Sequence, residues 1–123
     1  ASDVYKRQVS ADSALMQIAD KRAEDTKAIN YLEHRDGNGN LIAGNYLKEA
    51  GINVSNYAEC LCFETEAPAR MAVRDSLRGY IYQDADHNWG HRDSLLNPAF
   101  AHIGVGAVKS SDGNFIDNAV VLY

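Results

Sequence analysis

Asn88-Trp89-Gly90-His91-Arg92-Asp93-Ser94-Leu95-Leu96-Asn97-Pro98, followed by His102-Ile103-Gly104-Val105-Gly106, carries the strongest structural signal in the chain. It opens as a short helix with His91 at its start. Asn97-Pro98 ends that helix, because proline lacks the N–H the helical ladder needs and disfavours helix in the residue before it. A glycine-punctuated strand follows. Ile103, Val105 and Ala107 alternate with His102, Gly104, Gly106 and Val108, the period of a strand with two distinct faces. Ser110-Ser111-Asp112-Gly113 reads as a hairpin turn, and Phe115 to Tyr123 as the returning strand.

Upstream the period is helical. Leu15, Ile18, Ala19, Arg22, Thr26 and Ile29 recur at helical spacing and predict a helix from Ala11 to Leu32, with Ser10 or Asp12 as cap. Gly37-Asn38-Gly39-Asn40 is a loop. A second helix fits Ile42 to Ala50, stopped by Gly51. Ala58 to Phe63 reads as extended. A third helix fits Ala67 to Tyr82, with Thr65 as cap, Pro68 in the first turn, and Ala69, Val73, Leu77, Tyr80 and Ile81 facing inward. Helices first and paired strands last imply helices packed on an antiparallel sheet, an α+β layout.

Gly90-His91-Arg92, Leu95-Leu96-Asn97-Pro98 and His102-Ile103-Gly104-Val105-Gly106 together resemble the G-H-R-x-x-[IL]-L-N-P…H-I-G-V-G signature of bacterial SCP-like proteins. These belong to the CAP superfamily, with the cysteine-rich secretory proteins, venom allergens and plant pathogenesis-related proteins. The resemblance implies a three-layer α-β-α sandwich with a small antiparallel sheet. It also implies an opening helix with an Asn-x-x-Arg pattern, which does not occur upstream of Ala11. The chain is therefore read as joining the family pattern at its second helix, with residues 9–123 as a CAP domain lacking its first helix. Residues 1–8 are read as a non-native tail, because Asp3-Val4-Tyr5-Lys6-Arg7-Gln8 looks like a translated transposon end.

CAP proteins carry a cavity lined by two histidines and two acids. By resemblance these fall on His34, Glu59 and His91, with Ala58-Glu59-Cys60 standing where the family has Gly-Glu-Asn. The fourth position falls to Asp84 or Asp86, in an extra loop before the motif, or is absent. His102 shares a strand face with Gly104 and Gly106, which would leave room for a ligand beside it; the preferred alternative is a surface-exposed strand histidine. His87 reads as a solvated loop residue. Two neutral imidazoles hold a divalent metal such as zinc, and a carboxylate orients them; His34 and His91 are the expected ligands. The same groups serve equally as acid and base near neutral pH, or simply tie a loop to a helix.

A net charge of -5 argues against nucleic acid as the main partner, since no basic stripe is present to neutralise phosphates. No apolar run approaches the roughly 18 residues that span a bilayer. The family is mostly secreted, so the expected location is extracellular or cell-envelope, with any signal peptide upstream of this sequence. Cys60 and Cys62 are too few ligands for a structural zinc site and read as small buried hydrophobes, and Met16 and Met71 as core filler. Two functions are carried forward. The first is a binding module for a lipid, glycan or peptide ligand. The second is a metal-assisted, peptidase-like hydrolase using His34, Glu59 and His91.

Overall fold

The computed structural model describes residues 9–65 and 69–123. It is α+β. In chain order come β1 (Ser10–Ala11), α1 (Ser13–Ile29), α2 (Ile42–Glu49), β2 (Ala58–Thr65), α3 (Ala69–Tyr82), a single 3-10 turn at Ala85–His87, α4 (Gly90–Leu96), β3 (His102–Lys109) and β4 (Phe115–Leu122). The predicted start of the third helix at Ala67, with Pro68 in its first turn, lies outside the described residues; Thr65 ends β2. No helix among the described residues is long and apolar enough to cross a membrane.

The first helix is shorter than its apolar period predicts. Ser10 and Ala11 pair instead with His102 and Ile103, and Asp12 caps the helix by accepting from the Leu15 N–H at 3.0 Å. Asn30, at φ 52°, turns the chain out of the helix in the left-handed region, leaving Tyr31 exposed. The sheet order is β1-β3-β4-β2. Its main strands are antiparallel as expected, but β1 joins in parallel, a pairing too short to leave a periodic signal.

The β3–β4 hairpin forms at the expected turn. The Ser110 hydroxyl donates to Asp112 Oδ1 at 2.6 Å, and Gly113 takes φ +78°. Side chains then alternate across the sheet. Val121 packs with Leu15, Ile18, Ala19 and Leu47, while its neighbours Val120 and Leu122 pack with Cys60, Tyr80, Leu95 and Phe100. Alternation therefore puts α1 on one face and α3 with α4 on the other. Each fully buried aliphatic side chain contributes roughly 1.5–3 kcal/mol. Met16 is not core filler: it is 39% exposed, and its sulfur accepts the Val105 N–H at the free edge of β3.

Gly104 and Gly106 set the distance between α1 and the sheet. A Cβ at Gly104 would fall inside the backbone of Leu15, and one at Gly106 inside the backbone of Ala19 and Asp20. Of the two readings of His102, room for a ligand over Gly104 and Gly106 is ruled out, because this helix fills that space. Gly106→Ala should therefore cost about 3 kcal/mol or more, since backbone must move to admit the methyl group. Gly37→Ala meets no atom within 4 Å and should stay within about 0.5 kcal/mol of the parent. Urea unfolding of the two variants checks this; equal midpoints would contradict the packing.

Candidate functional site

Arg22 is the residue the site is built from. It occupies the inner stripe of α1, yet it is a cation at 1% exposure. Its Nε donates to Glu59 Oε2 at 2.6 Å, its Nη1 to Asp25 Oδ2 at 2.9 Å, and its Nη2 to the Glu33 carbonyl at 2.6 Å. Burial works against the charge, but the hydrogen bonds and charges of Glu59 and Asp25 outweigh it and raise the Arg22 pKa. Asp25 is held in turn by the Tyr46 hydroxyl at 2.8 Å.

Glu59 carries this network across to His34. Alternation along β2 points Glu59 at α1, and its Oε1 lies 2.7 Å from His34 Nδ1. An ionised carboxylate only accepts, so Nδ1 carries the proton and, in the neutral ring, Nε2 keeps the free lone pair.

A second pair is made differently, within one short segment. Asp84, 1% exposed, lies 2.8 Å from His91 Nδ1 through Oδ1. Its Oδ2 accepts the backbone N–H groups of His91 at 2.8 Å and Arg92 at 3.1 Å. Burial opposes its charge, but the bonds from the His91 ring and from the Arg92 and His91 N–H groups hold its pKa below the ordinary value. Asn88 and Trp89, at φ 52° and 61°, fold the chain back so that Asp84 meets the start of α4. Of the two acids weighed for the fourth position, Asp84 is beside His91, and Asp86 is exposed on the 3-10 turn.

His34 and His91 line one cavity of about 450 Å³, with Leu61, Cys62, Phe63 and Glu64 of β2 as one wall and Tyr80 of α3 as another. The Tyr80 ring lies 4.7 Å from that of His91. His87, read from sequence as solvated, is exposed but also lines this cavity, its ring 4.8 Å from His91. Glu59 stands behind His34 rather than in the wall. His102 lies elsewhere, stacked 4.6 Å from Tyr123 and 3.8 Å from Asp12. His34 and His91 each keep Nε2 clear of the hydrogen bond to their carboxylate. Cys60 is excluded as a metal donor: burial first, then Asp84 and Glu59, pushes its thiol up to about 12.

Sequence reasoning missed Arg22 as a site residue. The available signal was a lone cation on an otherwise apolar helical stripe, which is costly unless an acid is buried with it.

Comparison with known proteins agrees with this architecture. The model of the CAP family, described as the cysteine-rich secretory protein family, matches residues 6–123. The uncharacterized protein YkwD of Bacillus subtilis (strain 168) is 28% identical over 100 residues, 80% of this chain and 34% of that protein. This chain thus spans about a third of that curated relative. Among solved structures, an outer surface protein from Borrelia burgdorferi superposes with a TM-score of 0.73 at 14% identity, covering 98% of this chain and 81% of that one. An extracellular protein containing a SCP domain from Bacillus anthracis gives 0.63 at 22% identity over 94% of this chain and 34% of that one. The CAP domain of Enterococcal PrgA gives 0.59 at 17% identity over 95% and 52%. At these identities the structural matches speak to the fold.

Two outcomes follow for the buried pairs. Arg22→Met leaves Glu59 buried without its cation and should cost about 3–5 kcal/mol in denaturant unfolding, with much of the loss recovered in the Arg22→Met, Glu59→Leu double variant. Asp84 has a depressed pKa, so its stabilisation is present above the unfolded carboxylate value near 3.9 and is lost as pH falls through the lower folded value. The stability gap between the parent and Asp84→Asn should be full at pH 6 and close below about pH 4. A gap unchanged down to pH 2 would contradict the Asp84–His91 arrangement.

Proposed function

The chain belongs to the cysteine-rich secretory protein (CAP) family, and on that premise we propose that it is the ligand-binding domain of a secreted or cell-envelope protein. The cavity beside β2 is its binding site. One observation carries this reading: two histidines face a single cavity, each with Nδ1 held on a buried carboxylate, at 2.7 Å for His34 and 2.8 Å for His91. Both rings are thereby fixed before any ligand arrives, and each presents Nε2 as an acceptor, or as a donor once protonated.

Among lipid, glycan and peptide ligands, an extended peptide fits the wall best. Four consecutive residues of β2, Leu61 to Glu64, line the cavity. β2 is the last strand in the sheet order, so one side of its backbone faces no other strand of the described residues. Such an edge accepts an added strand through main-chain hydrogen bonds. A cavity of about 450 Å³ lies within the roughly 300–1,000 Å³ of small-ligand sites.

The competing reading, a metal-assisted hydrolase using His34, Glu59 and His91, draws on the same two carboxylate–histidine pairs. Against a serine nucleophile stands Ser76, the hydroxyl in the cavity wall: its Oγ bonds Glu64 and Asn118 and no histidine.

The test is NMR titration with a library of capped four-residue peptides in EDTA, run beside palmitate and a chito-oligosaccharide. Peptides should shift the amides of Leu61 to Glu64, and His34→Ala or His91→Ala should weaken binding by about tenfold each, near 1.4 kcal/mol. Shifts with palmitate or the oligosaccharide alone would reassign the ligand class. Cleaved peptide in the mass spectrum would favour the hydrolase.

A further inference from the structure

Asp84, His87 and His91 each offer one ligand atom, and the three atoms lie within 4.8 Å of one another. Among the described residues no other group of histidines, cysteines and acids comes together in this way. His34, although it lines the same cavity, is not part of the group. We propose that Asp84, His87 and His91 form a divalent-metal site at the α4 end of the cavity, with His87 rather than His34 as the second imidazole ligand.

The backbone builds this juxtaposition. His87 ends the 3-10 turn and His91 lies in the first turn of α4. Between them Asn88 and Trp89 both take left-handed conformations, at φ 52° and 61°. Such conformations are uncommon for residues other than glycine and cost roughly 1–2 kcal/mol each. Their effect is to turn the exposed His87 ring edge-on to His91, at 72° and 4.8 Å between centroids. The Asp84 carbonyl holds the turn closed by accepting the N–H groups of His87 and Trp89 at 3.0 Å each.

The chemistry of the set selects the ion. Two imidazoles and one carboxylate suit zinc, cobalt or nickel, whereas calcium and magnesium prefer oxygen ligands throughout. Tetrahedral ligands at about 2.0–2.1 Å from an ion stand roughly 3.4 Å apart. The present spacing, up to 4.8 Å, thus needs one side chain to close in, and the exposed His87 is free to rotate. Asp84 Oδ2 is occupied by two backbone N–H groups, while Oδ1 accepts only from His91 Nδ1, at 2.8 Å; an ion held by that oxygen takes the place of the Nδ1 proton, which is released to solvent, so His91 coordinates through Nδ1 and not Nε2.

The site shares His91 with the proposed ligand cavity but does not depend on a ligand being there. The test uses metal alone, with no peptide present, while the peptide titration is run in EDTA, so either reading can fail without the other. Isothermal titration of the metal-free protein with zinc chloride near pH 7.5 should give one site. His87→Gln should weaken it by at least about tenfold, whereas His34→Gln should leave affinity within about twofold. Absent heat in the parent protein, or a loss with His34→Gln and none with His87→Gln, would overturn the assignment. A second measurement needs no variant. Substoichiometric cobalt should shift or broaden the imidazole proton signals of His87 and His91 well before those of His34 and His102; the reverse order would also overturn it.

Discussion

The buried ion pair between Arg22 and Glu59 ties the helical layer to the sheet and sets the geometry of the site. It joins the middle of α1 to the edge strand β2, two elements far apart in the chain, through contacts of 2.6 Å and 3.3 Å. A guanidinium at 1% exposure is tolerable only because every side of it meets an acceptor: Glu59, Asp25 and the Glu33 carbonyl. The last of these fixes the residue immediately before His34. The same cation thus neutralises the carboxylate that holds the His34 ring and anchors the backbone that presents it. Replacing such a pair by apolar residues can be neutral for stability. Its role here therefore lies more in what it positions than in what it stabilises.

The two histidines reach equivalent states by different routes. His34 is positioned by long-range contacts, so its geometry exists only once α1 has docked on the sheet. His91 is positioned locally, by an acid seven residues earlier that also binds the first N–H groups of its helix. Docking of α1 rests in turn on Gly104 and Gly106, where the helix backbone lies directly on β3.

Much of the fold was legible in the sequence, because the helices and the hairpin carry strong periodic signals and the Gly-His-Arg to Gly-Val-Gly run is long and ordered. What was not legible depends on tertiary contact. Gly104 and Gly106 read as room for a ligand; glycine spacing records a close approach but not what approaches, and here it is the backbone of Leu15 and Ala19. His87 read as solvated because its loop is polar, and only the left-handed pair after it brings it back against His91. Asp84 and Asp86 were equal on composition; the 3-10 turn separates them, burying one and exposing the other. Asp117 gave no warning at all. It is fully buried among apolar strand residues with neither oxygen hydrogen-bonded among the described residues, and burial, then the charge of Asp112, raises its pKa.

α4 shows how closely stability and site chemistry are joined here. Seven residues are too few for a helix that stands alone in water, and this one follows two left-handed residues that carry a conformational cost. What holds it is the Asp84 carboxylate on its first N–H groups, the buried Leu95, and the Arg92 guanidinium stacked 4.3 Å over the Trp89 ring. The carboxylate that orients His91 is therefore also the group that lets its helix form. A change at Asp84 acts on both at once and cannot by itself assign a role to the cavity. Substitution at the exposed His87 leaves that support in place, because its ring contributes nothing to the capping of the helix.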